Sequence, residues 1–311
     1  MHIRVLGSAA GGGYPQWNCN HPNSRRARAG EPAATQRTQS SIAVSADGVR
    51  WLLCNASPDL RQQINDNPVL QPVAAGPLRA SPLAAVLLTN ADVDHVTGLL
   101  TLRESQAFTL YATPRVLEVL AMNSIFNVLN PAFVARRPMP LDSPWQPVAS
   151  DGALLGLTIT AFAVPGKVAL WLEDATRPVD IGALTQDTIA LEIGGLEPGR
   201  RFFYIPACAR MTPALAARLQ GAALVFFDGT LWVDDEMIQA GVGLKTGQRM
   251  GHLSVAGAGG SMALLADLAI QRKVFIHINT TNPILLDDSP ERAAVISAGW
   301  EVAYDGMQLV L

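Results

Sequence analysis

Only three of the 311 residues are cysteines, Cys19, Cys54 and Cys208, and they stand far apart. That excludes a disulfide framework of the kind that staples small secreted domains. Charge is sparse too: acidic and basic residues make up 16% of the chain and leave a formal net charge of -3. Without a basic surplus there is no electrostatic footprint for nucleic acid or an acidic membrane surface. No apolar run reaches the length of a membrane span. The longest uncharged candidate, around Leu154 to Val164, is interrupted by Gly156 and ends at Pro165-Gly166. The opening Met1-His2-Ile3-Arg4-Val5-Leu6 gives way to Gly and Ala too soon for a secretory h-region. The expectation is a soluble cytoplasmic protein, with no membrane insertion and no nucleic-acid partner.

What is present is an apolar majority, 49% hydrophobic residues, which is ample for a large core. Length alone admits one large α/β domain or two smaller ones. No repeat, low-complexity tract or shift in composition divides the chain. Strand-like runs cover His2 to Leu6, then Ser41 to Ala46 and Arg50 to Asn55 around the hairpin signal Asp47-Gly48. Further runs cover Ala84 to Leu88, Phe108 to Tyr111, Leu157 to Val164, Val168 to Leu172, Thr188 to Ile193, Arg201 to Ile205, Ala222 to Phe227 and Lys273 to Ile276. The pairs expected are Leu157–Val164 with Val168–Leu172 around Pro165-Gly166, and Glu301–Tyr304 with Met307–Leu311 around Asp305-Gly306. Turns are expected at Gly194-Gly195 and Pro198-Gly199. Helices are expected after Pro58, from Thr113-Pro114 to about Leu129, near Ser261 to Ile270 and near Pro290 to Ala298. Residues 131–151, rich in proline, read as a surface connection.

One stretch concentrates chemistry. After the run Ala84 to Leu88 comes Thr89-Asn90-Ala91-Asp92-Val93-Asp94-His95. A single helix cap needs one Asn or Asp, and here three stand beside a histidine. Carboxylates and imidazole on one loop suit a hard or borderline divalent metal. The pattern recurs: one apolar strand ends in Asp228-Gly229-Thr230 and another in His277-Ile278-Asn279. Ligand sites of α/β sheets form at the carboxyl ends of strands, so these ends point to one shared site. His252, in Met250-Gly251-His252-Leu253-Ser254, is a candidate supporting group or acid/base residue, or simply sits near a helix start.

The long loop over about 8–40 holds a second set of candidates. Its glycine cluster, Gly11-Gly12-Gly13, lacks the spacing of a dinucleotide fingerprint. Cys19 and His21 are two zinc-capable groups, short of the four that a structural zinc needs. Arg25, Arg26 and Arg28 read either as a solvated loop face or as a guanidinium clamp for an anionic substrate.

The order of these pieces resembles the metallo-β-lactamase superfamily, whose His-x-His-x-Asp-His motif follows a strand as Asn90 to His95 does here. More closely, the chain resembles the pyrroloquinoline-quinone (PQQ) biosynthesis protein B family over essentially its full length. The strings that carry the likeness are Gly11-Gly12-Gly13-Tyr14-Pro15-Gln16-Trp17-Asn18-Cys19-Asn20, Asn90 through Leu100, and His277 through Leu285. The resemblance implies a single αββα domain over 1–311: two mixed sheets flanked by helices. It implies metal ligands Asp94, His95 and His277, with His252 and Asp92 as catalytic groups and Asn90 and Asp228 beside the metal or at a second one. Asn90 and Asp92 replace the first two histidines of the motif, and none stands near Val164-Pro165-Gly166, so the superfamily's first metal site is degraded. His21 and Ser24 stand where the family tends to carry cysteine, which leaves Cys19 and His21 as the remnant of a structural zinc site.

Two imidazoles and one carboxylate are the ligand set of non-haem Fe(II) oxygenases. The family's pathway needs oxygen inserted into a tyrosine ring. The leading expectation is therefore an iron-dependent hydroxylase, with molecular oxygen as co-substrate and a peptide-derived or amino-acid precursor of PQQ as substrate; zinc is the alternative occupant on isolation. Two alternatives stay open: a metal hydrolase with site one rebuilt from Asp92 and Asp228, and a soluble carrier of PQQ or its precursor towards the periplasm. Other pathway proteins and a second copy of the chain are the admissible protein partners.

Overall fold

The computed structural model describes residues 1–174, 176, 180–197 and 199–311. Among the described residues thirteen strands form two sheets, and the alternation of side chains along them fixes three apolar layers. The first sheet holds β1 (His2–Gly7), β2 (Ser41–Ser45), β3 (Trp51–Cys54), β4 (Leu83–Leu87), β5 (Phe108–Ala112), β6 (Val134–Pro138) and, from the far end of the chain, β13 (Gln308–Val310). The second holds β7 (Leu157–Ala163), β8 (Ile189–Gly195), β9 (Arg201–Ile205), β10 (Leu224–Asp228), β11 (Lys273–Ile276) and β12 (Trp300–Val302). Their orders are β13-β1-β2-β3-β4-β5-β6 and β12-β11-β10-β9-β8-β7. Both mix parallel and antiparallel pairs.

Successive strand residues point to opposite faces. In β3, Leu52 and Cys54 enter the layer between the sheets, where Leu191, Phe202, Phe226 and Val274 meet them. Their neighbour Leu53 turns outward under the helices Leu60–Asp66 and Pro114–Met122. On the other sheet Phe203, Val225 and Phe275 turn outward beneath the helices Pro213–Leu219 and Pro290–Ser297. Strands covered on both faces read as nearly continuous apolar runs, which is why β2, β3 and β10 are buried throughout. The arrangement is αββα. Among the described residues, no helix is long and apolar enough to cross a membrane.

Several local expectations need correction. Residues 131–151 are not merely a connection: Val134–Pro138 is the edge strand β6, increasingly exposed along its length and therefore weakly patterned. The partner of β7 is β8, in the register Leu157↔Gly195 to Ala163↔Ile189, while Leu170–Leu172 is a 3-10 turn. β12 and β13 do not form a hairpin but belong to different sheets. Asp305, between them, accepts bonds from Ser8 and Thr38, which ties this crossing to the first sheet. The helix from Pro114 stops at Met122, and the one from Ser261 ends at Leu264. Asp59 starts a helix without capping it by its side chain; its carboxylate instead accepts from the backbone and side-chain amides of Gln39. The long loop contains a helix, Pro22–Arg28. In the expected Pro198-Gly199 turn, Pro198 lies outside the described residues.

Candidate metal centre

Three loops meet at one edge of the sandwich. The first leaves β4 and enters the short helix Val93–Val96. Gly98, just beyond it, lies against the backbone of Ala56 and Ser57, where any Cβ would overlap the Ser57 carbonyl. That close approach draws the loop down onto the sheet. The second and third loops leave β10 and β11, which are parallel neighbours with Asp228 opposite Ile276, so Asp228 and His277 emerge side by side. The Gly7–Gly13 segment crosses between the sheets, with the Ala10 N–H donating to Ile278 O at 2.8 Å. It sets Gly11 against Asp94.

Asp94, His95 and His277 converge there, with ligand atoms all within 4.8 Å of one another. His277 Nε2 is 3.0 Å from Asp94 Oδ2, and His95 Nε2 is 3.9 Å from the same oxygen. His95 is buried, and its Nε2 has no hydrogen-bond partner. Its other nitrogen, Nδ1, lies 2.7 Å from Asn90 Oδ1, an oxygen that also accepts the Asp92 N–H. An amide oxygen only accepts, so Nδ1 carries the proton and Nε2 presents its lone pair to the centre. Burial pushes the His95 pKa down, against the pull of the Asp94 carboxylate.

Thr230 plays the corresponding part for His277. Its hydroxyl donates to Asp228 Oδ1 at 2.6 Å and lies 2.9 Å from His277 Nδ1. A hydroxyl has one proton, so with that proton on Asp228 the oxygen accepts from His277 Nδ1–H. His277 itself has φ +60, a left-handed conformation that is uncommon away from glycine. Burial opposes charge at Asp94, but the His95 ring and the hydrogen bond from His277 outweigh it and hold the carboxyl below its ordinary range. The Asp94 bond and charge likewise outweigh burial at His277 and raise it.

A second group, Asp228, His252 and His277, also gathers within 4.8 Å. Asp228 is fully buried; its Oδ2 lies 2.7 Å from His252 Nδ1 and accepts the Cys208 N–H at 3.0 Å. The His252 and His277 rings stack with centroids 5.2 Å apart. Asp94, His252, His277, Asn90 and Asp92 line a cleft of about 300 Å³. Asp92 belongs to neither convergent group; its Oδ1 accepts the Leu170 N–H at 3.2 Å.

The donor set fits a divalent metal: two neutral-capable imidazoles, one ionised carboxylate and an orphaned buried nitrogen aimed at the gap. Residues 50–278 match the family model of the beta-lactamase superfamily domain. The coenzyme PQQ synthesis protein B of Gluconacetobacter diazotrophicus is 56% identical over 309 residues, 99% of each chain. The chain belongs to the coenzyme PQQ synthesis protein B family. The Xanthomonas axonopodis pv. citri member is 54% identical over 100% of both chains. The crystal structure of zinc-bound PqqB from Methylobacterium extorquens superposes with a TM-score of 0.94, at 55% identity and full coverage of both chains. A diphosphatase of the PhnP family superposes at 0.69 with 18% identity, over 99% of this chain and 96% of that one, which shows the shared fold.

The N-terminal candidates of this family member lie elsewhere. Cys19 Sγ accepts the His21 N–H and His21 Nδ1 accepts the Asn23 N–H, capping the helix Pro22–Arg28. Ser24 is buried, with its hydroxyl on Thr280. None of the three arginines of the expected clamp lines the cleft. Arg25 donates to Asn20 O, Arg26 pairs with Glu31 and Asp288, and Arg28 donates to the carbonyls of Cys19 and Gln16. They tie the loop together. Among the described residues, the lysines that line the cleft are Lys167 and Lys245. Neither drew notice in the sequence, although Lys167 follows the Pro165-Gly166 turn. Thr230 was also missed, though it stands two residues after Asp228.

Proposed function

We propose that this chain is a metal-dependent hydroxylase of PQQ biosynthesis that inserts oxygen into the tyrosine ring of a Glu-Tyr-derived precursor. The observation that carries the reading is the convergence of Asp94, His95 and His277 with His95 Nε2 buried and unpartnered. The relatives' shared name supports a place in PQQ synthesis, and the zinc-bound relative supports metal binding. Asp94, His95 and His277 would hold the ion. A bound Fe(II) supplies open coordination positions and redox chemistry for oxygen insertion, with dioxygen as co-substrate and electrons from a separate donor.

The remaining work falls to the protein. His252, oriented by the buried Asp228, offers Nε2 to the cleft as the group that takes or returns a proton of the phenol. Thr230 and Asn90 hold the two ligating rings in the tautomers described above. Asp92 lines the cleft wall, anchored to the Leu170 backbone. The test is anaerobic loading with Fe(II), then addition of a Glu-Tyr dipeptide, a reductant and isotope-labelled dioxygen, with mass spectrometry of the product. Labelled oxygen in the ring is expected. No oxygenated product under dioxygen contradicts the reading.

A second reading has one observation in its favour. Asp228, His252 and His277 make a second convergent group, and a second ion there would give a two-metal hydrolase. Two metals per chain, with ester or lactone turnover in the absence of dioxygen, would support it.

A further inference from the structure

Glu173 sits among three cations. Lys167 Nζ is 3.3 Å from its Oε1, Lys245 Nζ is 3.4 Å from Oε2, and Arg249 Nη2 is 2.9 Å from Oε2. One carboxylate balances one of these charges, so the group retains a surplus of positive charge. The hydrogen bond from Arg249, opposed by burial and reinforced by the two lysines, draws the Glu173 carboxyl down to about 2, and it stays ionised. Lys167 is the costliest member, with a side chain only 9% exposed. A nearly buried ammonium is disfavoured unless it is well paired.

Lys167 is also placed with care. Its Nζ donates to Val168 O at 3.0 Å, and its backbone carbonyl accepts from the Thr188 hydroxyl at 3.0 Å. Gly251, with φ +90, leaves the room its stem occupies; a Cβ there would come within 3.2 Å of Lys167 Cγ. An ammonium has three donors, and Val168 and Glu173 take two of them. Lys167 and Lys245 both line the cleft that holds Asp94, His252 and His277. Among the described residues, the acidic side chains of that cleft already have partners: His277 for Asp94 and the Leu170 N–H for Asp92.

We infer that Lys167 and Lys245 form a seat for the carboxylate groups of a small polycarboxylate substrate, with Glu173 competing for the two ammonium groups and Arg249 drawing that carboxylate towards itself. This rests on the cleft being the substrate site, as proposed above. Anionic oxygen is the shared chemistry, and Glu173 shows that a carboxylate fits between these cations. The seat orients the molecule by its acidic groups and leaves its ring to face the metal ligands.

The probe is L-glutamyl-L-tyrosine, titrated by calorimetry into the full-length protein loaded with redox-inert zinc. Its form with both carboxyl groups amidated and inorganic phosphate are run in parallel. Lys167→Gln and Lys245→Gln are each expected to weaken dipeptide binding about tenfold or more, the scale of one charge-assisted hydrogen bond. The amidated form should bind weakly to the parent and both variants alike. Glu173→Gln, which removes the competing carboxylate, should bind the dipeptide more tightly than the parent. Parent-like affinity in both lysine variants, equal losses for the amidated form, tighter binding of phosphate than of the dipeptide, or a loss in Glu173→Gln matching the lysine variants would each overturn the inference. Lys245, with 38% of its side chain exposed, keeps the test open should Lys167→Gln fail to fold. No dioxygen enters this experiment, so carboxylate binding here, combined with no labelled product from the iron-loaded protein under dioxygen, would sink the proposed reaction and leave the seat standing. Hydroxylation that survives with unchanged affinity in both lysine variants would do the reverse.

Discussion

His277 Nε2 lies 3.0 Å from Asp94 Oδ2 across 183 residues of chain, and this contact joins the carboxyl end of one sheet to that of the other. Its neighbours set the conditions for metal chemistry. Asn90 and Thr230 each hold one imidazole by its Nδ1, and His95 Nε2 is left facing the gap without a partner.

On the proposed reading, Asn90 orients the ligand His95 without being a ligand itself. Asn90→Ala should therefore still take up iron at saturating metal, with an affinity lower by about tenfold to a hundredfold, as is typical when a partner of a ligating histidine is removed. Chelator competition measures this directly. Complete loss of binding would make Asn90 a ligand; unchanged affinity would remove its orienting role.

Thr230 contacts Asp228, His252 and His277 through one hydroxyl. Thr230→Val keeps the shape and leaves buried polar groups without a partner, which costs on the order of 1–3 kcal/mol. Thr230→Ser should restore most of that loss. Urea unfolding of the zinc-loaded proteins is the measurement, and equal stability of the valine variant and the parent would contradict the argument.

Glu236 gives a pH dependence away from the metal ligands. It is 9% exposed, its carboxylate lies against the Thr281 hydroxyl and the Trp232 N–H, and burial draws its pKa from 4.5 up to about 7. The folded chain thus keeps this proton to higher pH than the unfolded chain does. Its contribution to stability is whole below about pH 4.5, falls as pH rises, and is lost above about pH 7. The full change is on the order of 3 kcal/mol. Glu236→Gln imitates the protonated form, so it should match the parent near pH 4.5 and exceed it in stability at pH 8. Parallel stability curves for the two proteins across that range would count against it.

The strands and the residues that converge at their ends were legible because each couples an apolar run to Asp or His at its exit. β6 was not, because an edge strand bearing Arg136, Arg137 and Pro138 lacks the alternation of a half-buried one. The Asp305-Gly306 turn signal was real, but two flanking strands do not reveal whether they pair together or divide between sheets. Here bonds from Ser8 and Thr38 to Asp305 accompany the division. The partners of the arginine cluster were hidden for a related reason: density of charge in sequence says nothing of where the guanidinium groups find acceptors. Lys167, Lys245 and Arg249 meet only through the fold, around Glu173.

The central claim is that Asp94, His95 and His277 bind one ion together, and the iron content of Asp94→Ala after anaerobic reconstitution tests it most directly. Parent protein should carry a single firmly held iron per chain. Asp94→Ala should lose that iron and hydroxylation with it, while retaining its fold by circular dichroism. An Asp94→Ala protein that binds iron as the parent does and hydroxylates at the parent rate would contradict the assignment.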